Sequence, residues 1–83
     1  MKIRTITVLK TDGTDETIEC KGAPKLAVLQ KAVGGYIEYV HLPRGNGQTK
    51  MVVNEEGRLD GLPMNSRASE IAQQSIVGNV AVY

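Results

Sequence analysis

The chain has no Phe, no Trp, one cysteine and one histidine among 83 residues. Without Phe or Trp the core must be built from Ile, Val, Leu, Met and Ala, which leaves Tyr36, Tyr39 and Tyr83 as the only large aromatic side chains. Cys20 cannot form an internal disulfide, and Cys20 with His41 falls short of the paired-ligand spacing of a metal site. No metal centre and no cofactor is therefore expected. Nucleophilic catalysis would have to use Cys20 or a serine beside His41, and a small apolar cysteine in a strand is the simpler reading. Charge of one sign is also missing: ten basic residues face nine acidic ones, without a run of Lys or Arg. That balance argues against a nucleic-acid partner, whose phosphates call for a basic footprint. Nor is there an apolar run of membrane-spanning length or a secretory leader, so a soluble protein of a reducing cytoplasm is expected.

What the chain does contain specifies a single small domain, residues 1–83. A chain of this length buries only about two-thirds of the surface its unfolded form exposes, so association into a homo-oligomer is an expected source of extra stability. Residues 2–9 alternate and are rich in Ile, Thr and Val, which predicts a strand with Ile6 and Val8 on one face. Turn chemistry at Thr11-Asp12-Gly13-Thr14 and renewed alternation over 16–21, with Ile18 and Cys20 together, complete a hairpin. Pro24 suits a first helical turn, Leu26, Leu29 and Val33 recur at helical spacing, and Gly34-Gly35 stops a helix that runs from about Pro24 to Val33.

Residues 36–42 read as a strand with Glu38 beside Tyr36 and Val40 on one face and Ile37, Tyr39 and His41 on the other. Neither face is cleanly polar, which implies a helix over one and a partner or ligand over the other. A loop over 43–48 and a strand over 49–53 make a second hairpin. The connection over 54–67 mixes glycines, carboxylates, asparagines and arginines with Leu59, Leu62 and Met64, whose spacing implies apolar anchors holding the loop against the domain. Asn65 or Ser66 caps a short helix with Ala68, Ile71 and Ala72 on one face, and residues 80–83 form a last strand. The order is β-β-α-β-β-α-β, an α+β domain with a mostly antiparallel sheet.

Little of this carries catalytic chemistry. Glu55, Glu56 and Asp60 read as solvated loop charges, whereas Glu38 on a strand face calls for a donor such as Arg58 or a ligand N–H. Arg44-Gly45-Asn46-Gly47 with Lys50 resembles a small anion nest in composition, but it lacks the full phosphate-loop pattern and an ordinary hairpin tip is the favoured reading.

Val33-Gly34-Gly35-Tyr36-Ile37-Glu38, followed by Glu56-Gly57-Arg58-Leu59 and Gly61-Leu62-Pro63-Met64-Asn65, resembles a small family of uncharacterised domains of bacteriophages and mobile elements. The resemblance implies a phage context and a fold, without a reaction. The resulting expectation is a noncatalytic, phage-type binding protein that sequesters a small nucleotide-like ligand, such as a cyclic nucleotide immune signal. Tyr36 would stack on a base, Arg58 and Arg67 would meet phosphate, and Glu38 and Asn65 would hold base or ribose edges. The alternative is an interaction module for a host or phage protein, engaged at a sheet edge through the apolar face of Val80, Val82 and Tyr83.

Overall fold

The computed structural model describes residues 3–42 and 50–83. Its strands are β1 (Ile3–Leu9), β2 (Asp15–Lys21), β3 (Ile37–Val40), β4 (Met51–Asn54) and β5 (Val80–Val82), with helices α1 (Leu26–Val33) and α2 (Ser66–Ala72). The expected α+β element order is present. The strands form one antiparallel sheet in the order β2-β1-β5-β4-β3. Among the described residues no helix is long and apolar enough to cross a membrane.

The β1–β2 turn closes as its residues dictate. The Asp12 carboxylate accepts from the backbone N–H and hydroxyl of Thr14, and those bonds, the hydroxyl first, hold its pKa below the usual value. The turn pairs Ile6 with Ile18 and places Ile18 and Cys20 on the α1 side.

A separate core lies on each face of the sheet. Leu29 and Val33 of α1 pack on Ile6, Val52 and Ala81, while Ala68 and Ala72 of α2 pack with Ile76 on Leu9, Met51, Val53, Val80 and Val82. Successive residues of β4 and β5 therefore enter opposite cores, and Val80, Ala81 and Val82 are all buried. This corrects two expectations. The second face of the sheet is covered over its centre by α2 rather than by a partner, and Val80 and Val82 lie in the middle of the sheet rather than at an edge open to another protein.

Helix α1 starts later than the sequence implies: Lys25 is its extended N-cap, so Pro24 lies outside it. Gly34, at φ 80°, provides the left-handed cap at the other end. Helix α2 is capped by Asn65 and stops at Gln73, a non-glycine residue with φ 56°.

Candidate functional site

The bend at Gly34-Gly35 after α1 and the bend over 55–62 after β4 meet at one end of the sheet through Asn54. Its Nδ2 donates to the carbonyl of Val33 at the end of α1 (3.2 Å), and its Oδ1 accepts the Glu56 N–H (2.8 Å). Glu55 N–H donates to the Tyr36 carbonyl (2.9 Å), tying the second bend to the entrance of β3. A Cβ on Gly35 would stand 3.0 Å from Asn54 Nδ2, so the second glycine of the pair makes room for this side chain.

From this junction residues 57–62 coil into a tight turn, closed by Asp60 N–H to Glu56 O and Leu62 N–H to Gly57 O. Arg58 Nη2 donates to the Ser75 carbonyl (2.7 Å) and links the turn to the segment between α2 and β5. Of the three apolar side chains expected to anchor the connection, only Leu62 does so; Leu59 is 88% exposed and Met64 59% exposed. The turn holds Leu59 outward because its own backbone bonds and Leu62 fix it without Leu59.

Between the turn, the 74–77 segment and β3 lies a groove of about 160 Å³ that includes Glu38, Val40, Glu55, Arg58 and Leu59. Larger open depressions exist, one of about 530 Å³ beside α1 with Val8, Ile18 and Val28 on its floor, but they lie away from the junction. The groove adjoins the free edge of the sheet. Because Glu55 N–H bonds Tyr36 O, the hydrogen-bonded partners along this ladder are Glu38 with Val53 and Val40 with Met51. Ile37 and Tyr39 therefore direct their backbone N–H and C=O groups away from β4, into solvent.

On the α1 side of this edge, Tyr39 is 61% exposed. Burial first, then the neighbouring Tyr39 hydroxyl, push the Tyr83 phenol up to about 12. Lys50 Nζ lies 5.8 Å from the Tyr83 ring centroid. Tyr36, 66% exposed, stands just before the strand, at the end of β3 that faces the bend junction.

The expected site residues are only partly brought together. Glu38 and Arg58 share the groove, and Tyr36 lies near its rim at the bend junction. Asn65 is 1% exposed and fully engaged: Nδ2 donates to Leu9 O and Gly78 O, and Oδ1 accepts from Ala68 N–H. It is a structural residue, with no atom left for a ligand. Arg67 reaches the opposite edge of the sheet, where it pairs with Asp15 of β2 at 3.0 Å. Cys20 and His41 sit near opposite edges of the sheet, so they cannot act as a pair. Residues 44–47, the possible anion nest, lie outside the described residues. Sequence reasoning missed the outward backbone of Ile37 and Tyr39; the signal was the short strand of mixed polarity that fits neither a covered nor a solvated face.

No curated protein and no solved structure matches the chain. A family pattern does match, over residues 3–83, and by it the chain belongs to the family described as a domain of unknown function, DUF3846.

Proposed function

We propose that the chain is a noncatalytic interaction module that adds an extended segment of another protein to its sheet at β3. The observation that carries this reading is the outward-facing backbone of Ile37 and Tyr39 on an edge strand flanked by exposed Tyr36, Tyr39 and Leu59. Unpaired strand groups beside aromatic and aliphatic side chains offer main-chain hydrogen bonds and apolar contact in one place. The other edge contrasts with it. Strand β2 is longer and carries Asp15, Glu16, Glu19 and Lys21, all exposed, the charged pattern that discourages pairing.

Four residues of β3 supply few backbone bonds, so the contact is expected to be transient and to draw much of its strength from the flanking side chains. A bacteriophage or mobile-element setting, with a host or phage protein as target, follows from the resemblance of the two glycine motifs. Sequestration of a nucleotide is the weaker reading. Ligand pockets typically span about 300–1,000 Å³, the groove offers about 160 Å³, and Asn65 and Arg67 are committed elsewhere. Only a second subunit completing the groove would restore it.

The test compares wild type with Tyr39→Pro, which removes an N–H that β4 does not use. Wild type is expected to hold a stoichiometric protein partner that protects the Ile37 and Tyr39 amides from hydrogen exchange, and the variant to lose both. A heat-released nucleotide in place of a protein, or a protein partner that leaves those amides unprotected, overturns the proposal.

A further inference from the structure

The groove beside β3 is lined by two carboxylates and one guanidinium, and among the described residues the carboxylates are without an ion-pair partner. Glu38 and Glu55 both line it, and among the described residues no cation lies within 4.0 Å of either carboxylate; the ion pair found there joins Arg67 to Asp15. Arg58, in the groove wall, has its guanidinium turned to the Ser75 carbonyl. Around these carboxylates the lining is aliphatic, with Val40, Leu59 and Ile76, and the volume of about 160 Å³ suits one long side chain.

We propose that the segment added to β3 carries Lys or Arg at the position opposite Glu38. This deepens the strand-addition reading and rests on it. A strand laid on β3 bonds through Ile37 and Tyr39, so its residue opposite Glu38 points to the same face as Glu38 and enters the groove. An aliphatic stem then covers Val40 and Leu59 while the cationic head reaches Glu38 and Glu55. The same geometry disfavours a second copy of this chain as the occupant. Two β3 strands paired antiparallel about Glu38 would set the two Glu38 carboxylates against each other, and pairing about Tyr39 would place Val40 of the second copy opposite Glu38, leaving both carboxylates without a cation.

The experiment selects binders from a library of short random peptides displayed on particles, against the wild-type chain and against Glu38→Lys. Wild type is expected to enrich sequences with Lys or Arg at one fixed position, and Glu38→Lys to enrich Asp or Glu at that position. A winning basic peptide is expected to bind the Glu38→Lys chain about tenfold more weakly, the size of exchanging one attractive cross-strand charge pair for a repulsive one. N-methylation of that peptide at the residue facing Tyr39 is expected to abolish binding. Enriched peptides that are sensitive to N-methylation but indifferent to the charge swap overturn the basic side chain and leave strand addition standing. Enriched peptides insensitive to N-methylation, or no enriched family at all, overturn both.

Discussion

Asn65 illustrates how one side chain can settle the course of several backbone segments. Its amide bonds the end of β1 at Leu9, the approach to β5 at Gly78 and the first turn of α2 at Ala68. Asn65→Ala removes a helix cap and strands two buried carbonyls, so urea denaturation is expected to show a loss of about 3 kcal/mol. Asn65→Asp keeps the cap acceptor but loses both donors and introduces a buried charge, and is expected to be at least as harmful. The sequence made the capping role of Asn65 legible, because Asn before a short apolar-periodic segment is a start signal. It could not exclude a ligand role, since the long-range acceptors Leu9 and Gly78 are defined only by the fold. Gly35 is a related case: the neighbour that leaves no room for a side chain there is Asn54, which only the fold brings near. Tyr83 provides a pH signature. Its phenol is raised from 10.0 to about 12 in the folded state, so the stability it contributes is present below pH 10 and is lost as pH rises toward 12. Titration of phenolate absorbance beside alkaline denaturation is expected to show this decline, and Tyr39→Phe to bring the Tyr83 titration to lower pH.

Among the elements, most of the strands and both helices were readable from periodicity and turn chemistry, whereas their depth in the sheet was not. Residues 80–82 form a continuous apolar run, which suits a strand covered on both faces, yet nothing local distinguishes that from an apolar edge awaiting a partner. Strand β3 carried the reverse ambiguity, because Tyr and Val content suggests cover while Glu38 and both nearby tyrosines are exposed. The end of α2 was also hidden, since Gln73 adopts the left-handed conformation with no glycine to announce it. Ser69 offsets that by bonding both the N–H and the carbonyl of Ile76. Between elements, the Arg67–Asp15 pair joins α2 to β2 with both side chains half exposed. Arg67→Ala is accordingly expected to change unfolding free energy by about 0.5 kcal/mol or less and to leave partner binding unaltered.

At the scale of the molecule, the proposed binding surface and the cores are separable, so stability and association should respond to different substitutions. Leu59→Ser alters a side chain that is 88% exposed and is expected to leave the melting temperature unchanged while weakening peptide binding measured by anisotropy. The bends at 34–35 and 55–62 are joined through Asn54, and β3, the 57–62 turn and the 74–77 segment approach closely enough to leave a groove of about 160 Å³ between them. The position of β5 between β1 and β4 has a kinetic consequence. A ribosome releases two local hairpins, β1–β2 and β3–β4, well before the segment that must slot between them. Each can zip early, but neither has a completed hydrophobic side until that late arrival inserts, so commitment to the native state waits for long-range closure. Folding should therefore be slow for a chain of this size, and nascent intermediates with both hairpins formed and an empty slot are the species most exposed to misassociation.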